Sequence, residues 1–144
     1  MANTQPIFIS LPQFEVVTLT NQTLTRDGIT GTPAQHWMGD ATNGGIIETI
    51  RLQPLGDISA NVVRLFVKKA NTTTYNLLLE TSISAVAGST ATAAIAPTIV
   101  TLPSILFGTG NITALRVEAG DTLFCALGTA SVVGINVTAL GGPY

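Results

Sequence analysis

Short segments rich in β-forming residues recur along this chain at spacings of about ten residues, separated by clusters of Gly, Pro, Asn and Asp. This spacing is typical of a β-sandwich or barrel, because alternating strands and helices would need longer periodic segments. No segment requires a helix. We therefore predict an all-β fold of about eight antiparallel strands. The clearest strand candidates are residues 46–53, 62–68, 75–83, 115–118, 122–127 and 133–139.

Two neighbouring segments, residues 62–68 and 75–83, predict a hairpin turned over at residues 71–74. In each, side chains alternate between two faces, as they do in a strand with one buried face. The pattern predicts that Leu65 and Leu79 point into the core. The opposite face of the first strand carries Arg64, Phe66 and Lys68; the predicted core face of the second carries Tyr75, Leu77, Leu79, Thr81 and Ile83.

Charged side chains are scarce in this chain. They make up 10% of its 144 residues, with a formal net charge of −2, whereas soluble domains average about 25%. The length suits a single domain. So little charge gives an isolated small domain weak protection against association, so a subunit covered by copies of itself or by a partner is favoured over a monomer with a neutral surface.

Composition also argues against nucleic acid and membrane partners. Six Lys and Arg residues form no basic stripe that could neutralise phosphates. No apolar run approaches the roughly 20 residues that span a bilayer. The first residues lack the basic start and apolar core of a signal peptide, so we expect a soluble chain that is not exported by that route.

The supply of catalytic residues is thin: one His, one Cys, four Asp and four Glu, spread along the chain. We expect no enzyme and no cofactor. Cys125 cannot form an internal disulfide and lies in the apolar run 123–127, which predicts a buried, inert thiol.

One segment, residues 33–40, gathers polar and aromatic side chains in a predicted loop. His36 and Asp40 could share a metal or form a catalytic pair, although no second His completes a common ligand set. Trp37 could instead anchor the loop with its indole, or stack on a sugar. The residues of this possible ligand loop are His36, Trp37 and Asp40.

The first 43 residues differ from the rest. An apolar triplet at residues 7–9 lies between two prolines, which favours an extended segment, and residues 14–19 are a further strand candidate. Residues 1–43 are therefore either an arm that adds to a neighbouring sheet or the first strands of the sandwich, with residues 44–144 as its body. The residues predicted to contact a partner are Ile7, Phe8, Ile9 and Phe14.

The last quarter of the chain resembles a known family. Residues 117–130 give an alternating strand, a Gly-Asp turn, an apolar strand and a Leu-Gly-Thr-Ala turn, and residues 133–144 give a second alternating strand ending in Ala-Leu-Gly-Gly-Pro-Tyr. With residues 60–67 and 75–80, this pattern resembles small tailed-bacteriophage proteins that decorate or cement the capsid. The resemblance covers about residues 44–144.

The resemblance implies a jelly-roll sandwich; periodicity alone would equally allow another β-sandwich. It also implies a homotrimer on the outer surface of the capsid that bridges major capsid proteins. The alternative is a fibre or spike head that recognises a host glycan through Trp37.

Overall fold

In the computed structural model, residues 12–38, 42–87, 94–107 and 110–143 are described. Their regular structure consists of β-strands, with no helix among them, as predicted. The strands are β1 (Gln13–Leu19), β2 (Ala34–Met38), β3 (Gly45–Pro54), β4 (Asn61–Lys68), β5 (Asn76–Ile83), β6 (Thr98–Ile99), β7 (Ser104–Phe107), β8 (Gly110–Thr113), β9 (Leu115–Val117), β10 (Thr122–Leu127) and β11 (Ile135–Pro143).

The strand pairing is that of a long hairpin rolled into two sheets. Strand β1 pairs with β11, β2 with β10, β3 with β9, and β4 with β5, all antiparallel. The β3–β11 and β4–β10 pairs join these four strand pairs into two sheets. Sheet A has the order β1-β11-β3-β9, and sheet B has the order β2-β10-β4-β5. This eight-stranded arrangement of crossovers between two sheets is a jelly roll.

The remaining strands lie between β5 and β9 in the sequence. Strand β6 adds two residues to the same side of β3 as β9. Strands β7 and β8 pair with each other as a separate hairpin. Pro97 and Pro103 flank the β6 region, and prolines are tolerated at such a sheet edge because they lack the N–H that a central strand would need.

Strands β1 and β2 belong to the two sheets, so residues before position 44 contribute to the sandwich. The described part of residues 1–43 therefore supplies the first strands of the jelly roll. The triplet Ile7-Phe8-Ile9 lies outside the described residues.

The main core fills the space between the sheets. Leu65 and Val63 of β4 are fully buried there, and Leu79 of β5 packs against them, as the alternation predicts. Leu77 does not join this core. A bulge leaves Leu78 unpaired between Leu77 and Leu79, and so turns the two side chains to opposite faces. The prediction that Leu77 and Leu79 share a face is therefore wrong.

The centre of the outer face of sheet B is also buried. Phe66, which the alternation assigned to the more polar face, is completely shielded from solvent and packs with Leu24 and Ala126 in a second apolar cluster. Leu24 belongs to the connection between β1 and β2, residues 20–33, which we call the cover segment. The cover segment thus closes the outer face of sheet B.

Two contacts fix the cover segment to sheet B. Arg64 Nη1 donates a 2.7 Å hydrogen bond to the carbonyl oxygen of Leu24, and Arg26 and Arg64 both donate to the carboxylate of Glu80. Gly28 has a φ of 73°, and a Cβ there would lie 2.0 Å from the carbonyl oxygen of Tyr75. Only glycine allows so close an approach in this conformation.

The turn between β9 and β10 is tied to the turn after β4. Gly120 has a positive φ in the Gly-Asp turn that the sequence indicates. The carboxylate of Asp121 accepts a 3.0 Å hydrogen bond from the backbone N–H of Ala70 and lies 2.7 Å from Nζ of Lys69. Asp121 therefore joins two turns that are far apart in sequence.

Candidate partner interface

The outer face of sheet A, which we call the open face, is exposed and mostly uncharged. Phe14 of β1 is 66% exposed, Ile99 of β6 is 56% exposed, and Val16 is 47% exposed. Leu140 of β11 adds a further exposed apolar side chain. Exposed apolar groups gathered on one face favour contact with another protein more than single scattered ones do.

These side chains form rows across the strands. Phe14 lies opposite Leu140, which in turn lies opposite Thr49 of β3. The next row runs from Val16 through Thr138 and Arg51 to Ile99. Residues directly opposite on neighbouring strands are close enough for their side chains to pack. The open face is therefore continuous from β1 to β6.

The third row is polar but also uncharged. The hydroxyl of Thr18 donates a 2.6 Å hydrogen bond to Oδ1 of Asn136, and Nε2 of Gln53 donates to the carbonyl oxygen of Ile95 at 2.9 Å. Polar groups bonded to each other in this way need fewer waters, so covering them with a partner costs less. Among the strand residues of the three rows, Arg51 carries the charge.

Strand β1 forms the end of sheet A. Glu15, on its inner face opposite Ala139, is partly buried, and this burial raises the pKa of its carboxyl group. The outer side chains Phe14 and Val16 are thus the ones available to a partner. We predicted a partner contact at Phe14, and the structure places Phe14 on the exposed face of an edge strand.

The predicted ligand loop has a different structure. His36 and Trp37 lie on β2, which pairs with β10, and both side chains are buried. Asp40 lies outside the described residues. Trp37 belongs to the main core, so its indole has no open face on which a sugar could stack. The expectation of an exposed loop at residues 36 and 37 is corrected: strand pairing holds these residues in the sandwich.

His36 has an unusual environment. It is the extra residue of a β-bulge, since Trp37 pairs with Leu123 and Gln35 pairs with Phe124. Neither ring nitrogen has a hydrogen-bond partner among the described residues. Burial lowers the pKa of His36 from 6.5 to about 4. At neutral pH the imidazole is therefore uncharged and unsuited to general acid catalysis.

Cys125 lies on β10 in the main core and is fully buried, as predicted. Burial raises the pKa of its thiol well above the ordinary value. A neutral, enclosed thiol is a poor nucleophile. Within the described ranges, no three His, Cys, Asp or Glu side chains come together in a group that could hold a metal ion.

Comparison with known proteins gives no match: no family model, no curated protein and no solved structure is similar to this chain. In the described part of the chain, no helix has the length and apolar character to cross a membrane.

Sequence reasoning found Phe14 but missed Val16, Leu140 and Ile99 as members of one surface. The alternation of β1 and β11 gave a partial signal, because it separates Val17 and Ala139 from these outer residues. Their convergence depends on which strands are neighbours. That neighbour order is a property of the topology.

Proposed function

We propose that this chain is a virion structural protein, a capsid decoration protein that lies on the outer surface of the head and bridges major capsid proteins. The observation that carries the proposal is the difference between the two outer faces of the jelly roll. The cover segment buries Phe66 and Ala126 at the centre of the outer face of sheet B, whereas the open face of sheet A displays Phe14, Val16 and Leu140. A protein partner suits such a face better than a small ligand does.

The proposed role is structural and involves no catalysis. The sequence pattern of residues 44–144, which resembles that of phage decoration proteins, implies a homotrimer, which would place three open faces on one shell. Three linked contacts act at high effective concentration, so each can be weak while the assembly is held firmly. A subunit attached to several capsid proteins together resists their separation under outward pressure from the packaged genome.

Copy number tests the proposal. Particles of the virus that encodes this chain are purified, and the ratio of this chain to the major capsid protein is measured by quantitative mass spectrometry. Hundreds of copies distributed over the shell are expected. A few copies confined to the tail or a vertex would overturn the decoration role and favour a receptor-binding head.

The open face is tested on particles that lack the protein. Purified variants are added back and bound copies are counted. Leu140→Lys should reduce occupancy at least ten-fold, because it places a charge in the apolar row beside Phe14. Ile29→Lys is the matched control, since Ile29 is also exposed but belongs to the cover segment. Equal occupancy of the two variants would show that the open face does not meet the shell.

A further inference from the structure

Strand β1 has a free edge that lacks the features with which folded proteins protect sheet edges. Among the described strands it pairs on one side only, with β11, over seven consecutive residue pairs without a bulge. It contains no proline, and its one charged side chain, Glu15, lies on the inner face. A regular edge strand of this length offers unpaired N–H and C=O groups to another strand.

The other sheet edges differ. Sheet B ends at β2 and β5, and each of these strands is interrupted by a bulge, at His36 and at Leu78 respectively. On the far side of sheet A, β6 and β9 are only two and three residues long. Bulges and short strands both discourage strand addition. Of the edges of sheets A and B, that of strand β1 is therefore the one that the described structure leaves most open to pairing.

We propose that residues 1–11 of one copy add as a strand to the free edge of β1 in the neighbouring copy, so that three such contacts close the trimer as a ring. This inference rests on the trimer of the proposed function and names the contact that builds it. It identifies β1, with Phe14 and Val16 on its exposed face, as the acceptor.

The chemistry of residues 1–11 fits this acceptor. They contain no charged side chain and include the apolar triplet Ile7-Phe8-Ile9. A strand beside β1 would place alternate side chains next to Phe14 and Val16, extending the apolar rows of the open face. An uncharged donor suits an edge whose outward side chains are uncharged.

The length of the donor is also sufficient. Eleven extended residues reach about 36 Å, and pairing with the seven residues of β1 uses about 23 Å of that length. The remainder, about 13 Å, is available to cross between neighbouring copies.

The junction with β1 favours a neighbour over the same chain. Folding back onto its own β1 would require a tight hairpin turn near residues 10–12, which are Ser, Leu and Pro. Two-residue hairpin turns need positive φ at one or both central residues, typically Gly, Asn or Asp. Pro12 fixes a negative φ and biases Leu11 toward extended backbone. The sequence at residues 10–12 therefore disfavours a tight return onto the same β1.

A contact of this kind is head-to-tail, since the donor and the acceptor are different surfaces. Head-to-tail contacts form a closed ring when the rotation between copies closes. A ring of three uses every donor and every acceptor. Each copy then presents its own open face beside that of its neighbour.

Cysteine cross-linking in the full chain tests the proposal. Val16→Cys is combined in turn with Ile7→Cys, Phe8→Cys or Ile9→Cys, and the purified protein is mildly oxidised and run on a denaturing gel. At least one pair should give disulfide-linked species that end at three chains. Cys125 does not interfere because it is fully buried. The control pairs the same arm cysteines with Ile29→Cys in the cover segment and should give no ladder.

Three outcomes would overturn the inference. A cross-link within single chains would place the segment on its own β1. Dimers from Val16→Cys alone would mean that two β1 strands pair with each other. If no pair cross-linked more than the Ile29→Cys control, residues 1–11 would not be the strand that adds to β1. Decoration itself is read separately, from the copies of the unmodified chain on particles, so either proposal can fail alone.

A second full-length variant tests the inference if the cysteine variants fail to fold. Replacing Ile7, Phe8 and Ile9 together with Asn should reduce the mass measured by light scattering from three chains to one. The melting of the sandwich should remain cooperative, because the two sheets are built by the described strands from residue 13 onward. Loss of cooperative melting would assign the triplet to the core of its own chain and overturn the exchange.

Discussion

Glu80 and Arg64 face each other across β4 and β5, with Nε of Arg64 2.7 Å from Oε1 of Glu80. Arg26 reaches the same carboxylate from the cover segment at 3.0 Å. One side chain of sheet B thus holds both a neighbouring strand and the segment that closes its outer face.

Glu80→Gln should weaken this attachment by about 1 kcal/mol, since exposed or partly exposed ion pairs contribute little more. Hydrogen bonds from Arg26 and then Arg64 lower the pKa of Glu80. Its contribution is therefore present above its ordinary pKa near 4.5 and lost as the pH falls through the lower folded value. Urea midpoints at pH 7 and pH 3 measure this difference. Glu48→Gln, on the exposed bulge of β3, is the control at pH 7 and should change the urea midpoint little there.

Gly28→Ala should loosen the cover segment. A Cβ at this positive φ would meet the carbonyl oxygen of Tyr75, so the segment must shift away from sheet B. The expected cost is about 1–3 kcal/mol, measured by denaturant unfolding. Gly128→Ala should stay within about 0.5 kcal/mol, because its Cβ would make ordinary contacts, the nearest 3.4 Å from Cβ of Val62. Equal effects would mean that the cover segment does not depend on this approach.

Phe66→Ala and Leu65→Ala should each cost about 3–5 kcal/mol, although the two side chains point to opposite faces of β4. Both are completely buried, Leu65 in the main core and Phe66 under the cover segment. Thermal or urea unfolding gives the comparison, with exposed Val132→Ala as the control. A small effect of Phe66→Ala alone would show that the cover segment is only loosely held in solution.

His36→Leu should be neutral or stabilising at pH 7, because the imidazole is buried without a hydrogen-bond partner among the described residues. The folded pKa of about 4 lies below the ordinary 6.5. The wild type therefore has its full free energy of unfolding above pH 6.5, and the part that depends on a neutral His36 is lost as the pH falls toward 4. The variant's free energy of unfolding, measured relative to that of the wild type, should therefore be about 2 kcal/mol higher at pH 5 than at pH 7. A pH-independent difference between the two proteins would contradict the burial of a neutral imidazole.

Local sequence determined the fold class and much of the main core. Period-two alternation identifies Val63 and Leu65 as core residues whatever strand lies beside them, because successive side chains on a strand point to opposite faces. The apolar run around Cys125 likewise predicted its burial, and the Gly-Asp pair predicted the turn at Gly120. These features depend on residues close together in the chain.

Tertiary structure decided where the bulges lie and which parts of the outer faces are covered. The extra residue at Leu78 turns Leu77 away from Leu79, and the extra residue at His36 lies in a strand that the sequence predicted as a loop. Such shifts depend on the register of the partner strand, which local alternation does not encode.

The burial of Phe66 and the exposure of Phe14 were likewise decided by the tertiary structure. Both are aromatic residues on alternating strands, yet the cover segment lies over one and leaves the other on the open face. Strand β1 finds its neighbour more than a hundred residues later, where Gln13 pairs with Gly141. The sequence therefore determined which side chains share a face where a strand runs without a bulge, while long-range pairing and the path of residues 20–33 decided which face remains for a partner.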